Sequence, residues 1–287
     1  MKKIAIVGAG NVGISAAKAV MDSPDMELCG FIRRKEKAVP GFEKIPVAES
    51  VFDFSKKPDG AIICVPSKSV EPIEAKLLEN GIYSVDAFDI HEELSPMKKR
   101  LSESAKIGNV SAVIGAGWDP GIDSIVRTLI SAVIPEGKMF TNFGPGMSMG
   151  HTAAAKAVFG VADAVSVTIP AGNGKHTRKI YAVLEKNADK NAVEHGILSD
   201  GYFEHDECSV EFVDSVKPFF NTRHAVFIDA ADGTHKLSFR MENDNPIMTG
   251  RMLVSAMRAA FLQKPGAYFM TEIPPCNFCA ENCEKYL

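Results

Sequence analysis

Three glycines near the start of the sequence have the spacing of a loop that binds a nucleotide. Gly8, Gly10 and Gly13 form a GxGxxG pattern between a predicted strand and a predicted amphipathic helix. Such glycines permit a tight turn, close approach of the backbone to a pyrophosphate and close packing of helix on strand, while the helix N-terminus favours the anion. We predict that this loop, with Asn11 and Val12, binds a dinucleotide; the alternative is a glycine turn without a ligand.

The residues after the second predicted strand indicate which dinucleotide binds. The stretch "FIRRKEK" has Arg33, Arg34 and Lys35 where an NAD site usually has an acid that accepts from the ribose 2′-hydroxyl. Three cations suit a 2′-phosphate instead, so the stretch favours NADP, although a solvated basic loop has the same composition. The predicted cofactor site is completed by three residues after the third predicted strand: Pro66, Ser67 and Lys68.

Two aspartates follow later predicted strands and are candidate ligand-binding acids. Asp89 lies in "VDAFDIH" (85–91) and Asp119 in "GWDPG" (117–121). Ligands of open α/β sheets bind beyond the carboxyl ends of the strands, where both acids are expected. Aspartate is also common in turns and at helix N-caps, and residue type alone favours that second interpretation.

The elements that must position these residues change in type after residue 118. The first third alternates short apolar runs with amphipathic stretches, which indicates strands buried on both faces with helices between them. This pattern predicts an α/β fold with a Rossmann-type doubly wound parallel sheet. Closely spaced later runs, with a "DG" turn signal at 232–233, predict a second α+β domain with a mostly antiparallel sheet. These runs are 164–170, 178–185, 208–213, 224–230 and 236–241.

Composition gives no indication of several classes of partner. With 32 basic and 36 acidic side chains, the net charge of −4 gives no reason to expect nucleic acid or a membrane surface as a partner. No stretch reaches the length of a membrane span, and the N-terminal apolar run ends at glycines without a cleavage site for secretion. Cys29, Cys64 and Cys208 suit buried free thiols in a reducing compartment, so we expect a cytoplasmic protein.

Four motifs in a fixed order carry a resemblance to a known family. The stretches "VDAFDIH", "GWDPG", "NFGPGMSMGHT" (142–152) and "TIPAGNGKHTR" (168–178) resemble those of meso-diaminopimelate dehydrogenases, and most closely the subgroup that tolerates other D-amino acids. The resemblance implies a dinucleotide-binding domain over 1–117, completed by 247–287. It also implies a substrate-binding and dimerisation domain over 118–246.

The resemblance implies a reversible, NADP-dependent oxidative deamination of meso-2,6-diaminopimelate at its D-centre. The products would be ammonia and L-2-amino-6-oxopimelate, which cyclises to tetrahydrodipicolinate. In reverse, the reaction would supply lysine and the cross-linker of peptidoglycan. The family also implies a homodimer with a small-molecule substrate.

Family similarity further assigns roles to individual residues. Asp89 and Asp119 would hold the ammonium group at the D-centre, and Trp118, the only tryptophan, would form an apolar wall beside the reacting carbon. Which of the two acids or a bound water accepts the proton stays open. The carboxylate of the far amino-acid centre is assigned to Arg178, Thr168, His224 and Asn245. The lining of the substrate pocket is assigned to Phe143, Met149 and Gly150.

Each of these assignments has an ordinary structural alternative. Arg178 could be an edge charge, Thr168 a strand former, His224 a structural histidine and Asn245 a helix N-cap before proline. The pocket-lining residues could equally fill a core.

Other functions are weighed on the same residues. The substrate domain is short and looks trimmed near 230–236, so a broad-specificity D-amino-acid dehydrogenase is the main alternative. A reductase of the dihydrodipicolinate type would need a motif of basic residues and histidine that we do not find. A non-catalytic NADPH sensor would not need Asp89, Asp119 and Arg178.

The C-terminal tail has three cysteines, Cys276, Cys279 and Cys283, with the spacing C-x2-C-x3-C. Such spacing can bind zinc or an iron–sulfur cluster, but a fourth ligand is required and no nearby histidine supplies one. We therefore predict no metal site.

Overall fold

A computed structural model describes residues 1–34, 37–204 and 206–286. Its strands, in chain order, are β1 (Lys2–Val7), β2 (Met26–Ile32), β3 (Val47–Ala48), β4 (Gly60–Ile63), β5 (Tyr83–Asp86), β6 (Ser111–Val113), β7 (Lys138–Met147), β8 (Val161–Gly172), β9 (Lys175–Leu184), β10 (Glu207–Phe212), β11 (Arg223–Ala231), β12 (Lys236–Asp244) and β13 (Gly266–Tyr268). Its α-helices are α1 (Asn11–Met21), α2 (Val70–Glu79), α3 (His91–Ile107), α4 (Ile122–Val133), α5 (Met149–Ala157), α6 (Lys190–Leu198) and α7 (Asn245–Ala260).

The first compact unit comprises Met1–Ile125 and Pro246–Leu287. Its sheet has the order β13-β6-β5-β4-β1-β2-β3, and every strand pair is parallel. Helices α1 and α7 contribute to a core on one face, and α2 and α3 to a core on the other. Burial on both faces explains the continuous apolar runs of these strands. The predicted Rossmann-type doubly wound sheet is confirmed.

The second compact unit, Val126–Asn245, contains a sheet of order β10-β9-β8-β7-β11-β12. All its strand pairs are antiparallel except β9 with β10, which run parallel. Side chains of β8 and β9 form a core with α5 and α6 on one face of this sheet. The predicted second domain with a mostly antiparallel sheet is confirmed.

The limits of the two units can be compared with the predicted domains. The chain passes from one unit to the other after Ile125 and again after Asn245, whereas the predicted limits are 117/118 and 246/247. That the first unit binds the dinucleotide and the second binds substrate and forms the dimer stays a prediction.

The turn signal at 232–233 joins β11 and β12. Asp232 accepts hydrogen bonds from the backbone N–H groups of Thr234 (2.7 Å) and His235 (2.6 Å), as aspartate commonly does in turns. The two strands pair in antiparallel register from Arg223 with Asp244 to Ala231 with Lys236. The predicted hairpin is therefore confirmed.

The scattered cysteines are less buried than expected. Cys29, Cys64 and Cys208 are free and only partly buried, because Cys64 follows the end of β4 and Cys208 lies on the edge strand β10. Burial still raises the pKa of the Cys64 thiol to about 12, which keeps it protonated. Within the described part of the chain, no helix is both long and apolar enough to cross a membrane.

Candidate active site

The glycine loop between β1 and α1 has the local geometry that its sequence predicts. Gly8 has φ +95°, and a Cβ there would stand 2.4 Å from the carbonyl oxygen of Cys64. A Cβ at Gly13 would stand 2.3 Å from the carbonyl oxygen of Gly8, so the helix packs too closely on the loop for any side chain. A Cβ at Gly10, in contrast, would meet nothing within 4 Å. The fold requires glycine at positions 8 and 13, whereas Gly10 leaves open space for a ligand.

The start of α1 is suited to a phosphate group. The helix begins at Asn11, its first turn contains no acidic residue, and Asn11 and Val12 are exposed and partly exposed. The backbone N–H groups of a helix N-terminus attract anions. Beyond β2, Arg33 is partly buried and Arg34 is exposed, while Lys35 lies outside the described residues. The loop therefore fits the pyrophosphate of a dinucleotide.

Asp89 is held by a residue of the predicted cofactor site. Pro66, Ser67 and Lys68 follow β4, and the Ser67 hydroxyl donates a hydrogen bond of 2.6 Å to Asp89 Oδ1. Ser67 is 8% exposed and Asp89 is half-buried, so this contact is partly shielded from water. The structure thus brings together a predicted cofactor residue and a predicted catalytic acid.

A second aspartate of the same motif, Asp86, organises the two loops that carry Asp89 and Asp119. Its Oδ1 accepts hydrogen bonds from the backbone N–H of Phe88 (2.7 Å), after β5, and of Gly115 (3.1 Å), after β6. One carboxylate therefore fixes the starts of both loops, which follow neighbouring parallel strands. The sequence-based prediction missed Asp86, although it lies within "VDAFDIH".

Asp86 is itself paired with a buried glutamic acid. Glu74 of α2 and Asp86 are fully buried, and Ser84 donates to Glu74 Oε1 at 2.7 Å, whereas neither Glu74 Oε2 nor Asp86 Oδ2 receives a hydrogen bond from another described residue. Burial, followed by the nearby charge of Asp86, raises the pKa of Glu74 well above its usual value. Burial likewise raises the pKa of Asp86, against hydrogen bonds that stabilise its carboxylate. We conclude that the pair shares one proton, held on Glu74 and donated to Asp86.

This shared proton predicts a pH dependence of stability. The folded chain keeps it above the pH at which unfolded glutamate loses it, so stability decreases as pH rises from the ordinary glutamate pKa toward the raised one. Glu74→Gln, which donates to Asp86 at every pH, should remove this decrease, worth up to about 1.4 kcal/mol per pH unit. Urea unfolding at a series of pH values, from below the ordinary glutamate pKa upward through neutral pH, measures it. Glu79→Gln is the control, because Glu79 also accepts from a serine, Ser104, at 3.0 Å. Parallel stability curves for wild type and Glu74→Gln would contradict the shared proton.

The "GWDPG" segment forms a tight turn after β6. Gly121 has φ +145°, and a Cβ there would stand 1.9 Å from the carbonyl oxygen of Gly117, so only glycine fits. The Asp119–Pro120 peptide bond is cis, and Trp118 is 7% exposed. Glycine and proline thus fix the backbone that presents Trp118 and Asp119.

Asp119 lies near a histidine that the sequence-based prediction did not select. Its side chain is 16% exposed, and its Oδ1 is 4.0 Å from Nε2 of His91, the first residue of α3. His91 closes the motif "VDAFDIH", so the loop after β5 brings it to the acid in the loop after β6. The pair lies at the carboxyl edge of the parallel sheet, where ligands of such folds bind.

In the second unit, two predicted substrate residues are brought into contact. Thr168 of β8 and Arg178 of β9 are paired in the antiparallel register, and Arg178 Nη1 donates a hydrogen bond of 2.7 Å to Thr168 Oγ1. Thr168 is 1% exposed, and the Arg178 side chain is 10% exposed. Arg178 therefore does not behave as the exposed edge charge that was the alternative.

An acid and two histidines that were not predicted surround Arg178. The Arg178 Nε donates to Asp206 Oδ2, while His176 Nε2 lies 3.2 Å from Asp206 Oδ1 and His151 Nε2 lies 3.7 Å from Oδ2. Burial acts to raise the pKa of Asp206, but hydrogen bonds from both histidines and Arg178 outweigh it and hold that pKa well below its usual range. The histidines lie in quoted motifs, whereas no sequence signal marks Asp206.

His224 is a neutral hydrogen-bond acceptor. Burial, together with the charges of Arg178 and the nearby histidines, lowers its pKa to about 4, against a hydrogen bond to the Ala225 carbonyl. Its Nδ1 lies 2.9 Å from that carbonyl oxygen, which can only accept, so Nδ1 carries the proton. Nε2 is then an unprotonated acceptor, which suits an ammonium group better than a carboxylate.

The remaining predicted substrate residues have varied surroundings. Asn245 begins α7, and its backbone N–H donates to the Thr222 carbonyl at 2.8 Å. The Phe143 ring lies edge-on to the His176 ring at 6.0 Å, near Arg178. Met149 packs against the buried cluster of Met147, Val165 and Val216, as core filler would. Gly150 follows it in α5 and is partly exposed. Their roles toward substrate stay predictions.

Comparison with known proteins identifies the family. The model of the diaminopimelic acid dehydrogenase C-terminal domain matches residues 117–174, and that of an oxidoreductase family with an NAD-binding Rossmann fold matches residues 2–85. The meso-diaminopimelate D-dehydrogenase of Bacteroides fragilis is 39% identical over the full chain and 99% of its own length. The chain belongs to the meso-diaminopimelate dehydrogenase family. The resemblance and the prediction of an amino-acid dehydrogenase are confirmed.

Two solved structures are similar over nearly the whole chain. Diaminopimelate dehydrogenase of C. glutamicum in complex with diaminopimelate has a TM-score of 0.87 at 27% identity, covering 99% of this chain and 97% of its own. An engineered D-amino acid dehydrogenase bound to NADP+ has a TM-score of 0.87 at 28% identity, covering 99% and 98%. The family and its Rossmann domain confirm the coarser prediction that this dehydrogenase binds a nicotinamide dinucleotide.

The three cysteines of the tail all lie within the described residues. Cys276 and Cys283 are close enough for a hydrogen bond between their side chains, which, after burial, raises the pKa of Cys283. Among the residues that the structure describes, no three side chains of His, Cys, Asp or Glu are placed to hold a metal ion together. The prediction of no metal stays open to metal analysis of the purified protein.

Proposed function

We propose that this protein catalyses the NADP-dependent oxidative deamination of meso-2,6-diaminopimelate at its D-centre, reversibly, to L-2-amino-6-oxopimelate and ammonia. The observation that carries the proposal is the pair of acids, Asp89 and Asp119, at the carboxyl ends of adjacent parallel strands and fixed through one carboxylate, Asp86. Two such acids suit a substrate whose reacting carbon bears an ammonium group. Membership of the family supports the same reaction.

In this proposal the acids bind the amine and accept one of its protons. An ammonium group must become a neutral amine before hydride can leave the adjacent carbon, and a carboxylate within hydrogen-bond reach can accept that proton. Ser67 donates to Asp89 Oδ1 and so orients this carboxylate in the loop after β5. Trp118 presents an apolar wall that limits water near the reacting carbon. Water then adds to the resulting iminium, and ammonia leaves.

The cofactor in this proposal is NADP rather than NAD. When bound, it accepts the hydride from the D-centre carbon. Gly8, Gly10 and Gly13, with the N-terminus of α1, would hold its pyrophosphate, and Arg33 and Arg34 its 2′-phosphate. Pro66, Ser67 and Lys68 would line the path toward the nicotinamide.

Arg33 and Arg34 predict a preference for NADP+ over NAD+ that their substitution should weaken. Arg34→Gln combined with Arg33→Gln should raise the KM for NADP+ about 10-fold to 100-fold, because a charge-assisted contact with the 2′-phosphate is lost. The KM for NAD+ should change little, since its ribose carries no phosphate. Lys37→Gln, an exposed lysine of the same segment, is the control. Equal effects on both cofactors, or a wild-type preference for NAD+, would contradict the proposal.

The far amino-acid centre of the substrate is assigned to the second unit. We propose that Arg178 and Thr168, which contact each other, bind its carboxylate through N–H and O–H donors. His224 and Asn245 would contact the same centre, and Phe143, Met149 and Gly150 would line the substrate pocket.

A second candidate function is a broad-specificity D-amino-acid dehydrogenase. The observation that favours it is the pairing of Arg178 with Asp206, because an internal carboxylate weakens the pull of that arginine on a substrate carboxylate. Comparing kcat/KM for meso-diaminopimelate and D-lysine separates the two functions. A ratio far above one supports the first, and a ratio near one supports the second.

The direct test is reduction of NADP+ by a panel of D-amino acids. Activity with meso-diaminopimelate, and ammonia-dependent oxidation of NADPH in the presence of the oxo product, are expected. Inactivity of folded protein with every substrate and both cofactors would overturn the proposed reaction and would favour the non-catalytic sensor.

We also propose that the protein works as a homodimer in the cytoplasm. The second unit's sheet borders an open hollow of about 870 Å³ whose lining combines apolar side chains such as Phe227 with charged ones such as Arg240 and Glu242, a combination found at protein interfaces. Light scattering after gel filtration tests the dimer; a monomer at working concentration would contradict it.

A further inference from the structure

Asp206 is the most accessible charged group of the cluster around Arg178. Its side chain is 19% exposed, against 10% for Arg178, and its partners His151 and His176 are 17% and 18% exposed. A ligand that reaches this cluster can therefore contact the carboxylate as well as the guanidinium. Because its donors hold Asp206 ionised, the group it presents is an anion.

Arg178 has N–H donors in addition to the one that pairs with Asp206. A guanidinium has five N–H groups: Nε donates to Asp206, one N–H of Nη1 donates to Thr168, and Nη2 lies 3.2 Å from His176 Nε2. At least one N–H therefore remains on each terminal nitrogen. The cluster can offer further N–H donors to a carboxylate and, beside them, an ionised acceptor.

We propose that Asp206 binds the ammonium group of the far amino-acid centre, while Arg178 and Thr168 bind its carboxylate, so that Asp206 sets selectivity for substrates with a distal cationic amine. This inference rests on the proposed function and deepens it. A charged pair on the protein matches a zwitterionic amino-acid end, which carries one charge of each sign.

The neutral state of His224 agrees with this assignment. His224 of β11 is paired with Gly146 of β7, which is paired with Thr168 of β8. Thr168 is paired in turn with Arg178 of β9, so His224 stands in the same row across the sheet as the cluster. Its Nε2 is an acceptor, as derived above, and would add a second lone pair for an ammonium group. A site for a carboxylate alone would need donors at these positions.

Four D-amino acids distinguish binding of the ammonium group from binding of the carboxylate at the far centre. Meso-diaminopimelate has the distal ammonium and carboxylate groups, D-lysine only the ammonium, D-2-aminopimelate only the carboxylate, and D-norleucine neither. In Asp206→Asn, the preference for D-lysine over D-norleucine, as a ratio of kcat/KM, should fall about 10-fold to 100-fold. The preference for D-2-aminopimelate over D-norleucine should stay constant or rise, because Arg178 loses its competing partner.

Ratios between substrates cancel any loss of folded enzyme in the variant. Asp163→Asn is the matched control, because Asp163 of the same unit pairs with Lys156 at 2.6 Å. Asp206→Glu, which keeps the charge, should retain part of the preference for D-lysine. Equal changes with all four substrates would overturn the inference and leave Asp206 as a counter-ion of Arg178.

A binding measurement separates this inference from the proposed reaction. Calorimetric titration of the NADPH complex with D-lysine and D-norleucine gives the same comparison without turnover. If wild type binds D-lysine more tightly and Asp206→Asn does not, the inference holds even when the reaction proves to be different. If wild type binds both equally, the inference is wrong, even if meso-diaminopimelate is deaminated.

Discussion

Replacing Asp119 with asparagine is expected to lower kcat for meso-diaminopimelate about 10²-fold to 10⁴-fold, the usual contribution of a positioned acid–base group. Asparagine has the same shape but neither accepts the proton nor carries the charge that holds the ammonium group. The rigid turn around it should keep its place, because Gly121 and the Gly117 backbone leave no room for rearrangement. Affinity for NADPH, measured by fluorescence titration, should be unchanged.

A control aspartate lies at the amino ends of the strands of the same sheet, opposite the candidate site. Asp59 precedes β4 and accepts a hydrogen bond of 2.7 Å from the Lys3 backbone N–H. Asp59→Asn should leave kcat near the wild-type value, because ligands of this fold bind at the carboxyl ends of the strands. If Asp119→Asn turns over like wild type, Asp119 is not part of the mechanism. Asp89→Asn then shows whether the other acid acts alone.

Alanine at Gly10 and at Gly13 should separate cofactor binding from folding. Gly10 has φ −80° and open space around its missing Cβ, so Gly10→Ala should unfold at the wild-type temperature. A methyl group there occupies space needed by the pyrophosphate, and the Kd for NADPH should rise at least about 10-fold, since phosphate contacts depend on close approach. Normal NADPH affinity in Gly10→Ala would contradict this placement of the cofactor.

Gly13→Ala serves as the opposite case. Its Cβ would stand 2.3 Å from the Gly8 carbonyl oxygen, so the helix must shift away from the loop. We expect a loss of about 1–3 kcal/mol in the free energy of unfolding, as for other overpacked sites, although alanine normally favours a helix. Thermal and urea unfolding measure it. A stabilised Gly13→Ala would show that the loop is looser than described.

The first sheet could be predicted because its strands carry their own signal. Runs such as β1 and β4 are buried on both faces, so they are apolar throughout and easily separated from the amphipathic helices between them. The segment of β7 escaped prediction, since it contains Gly144, Pro145 and Gly146 and only two of its residues are fully buried. Glycine and proline normally end a strand, and here tertiary pairing with β11 overrides that local preference.

The candidate site was predictable where motifs are continuous in sequence. Asp89, Asp119 and the glycine loop stand in short motifs, and Arg178 was found by resemblance. Asp86 and Asp206 were missed for a physical reason: their roles depend on partners distant in the chain, such as Gly115 for Asp86 and Arg178 for Asp206. A lone aspartate in a sequence carries no mark of the donors that folding brings to it.

The order of strands in the first sheet has a consequence for synthesis on the ribosome. Strand β13 pairs with β6, so the sheet is completed only by a segment made after the whole second unit. The second unit is continuous in the chain and can fold as it emerges, whereas β6 keeps an open edge until the C-terminus arrives. Nascent chains stalled before residue 266 should therefore bind chaperones through the first unit, because the edge of β6 is still unpaired. This is expected although most residues of the first unit are synthesised before the second unit.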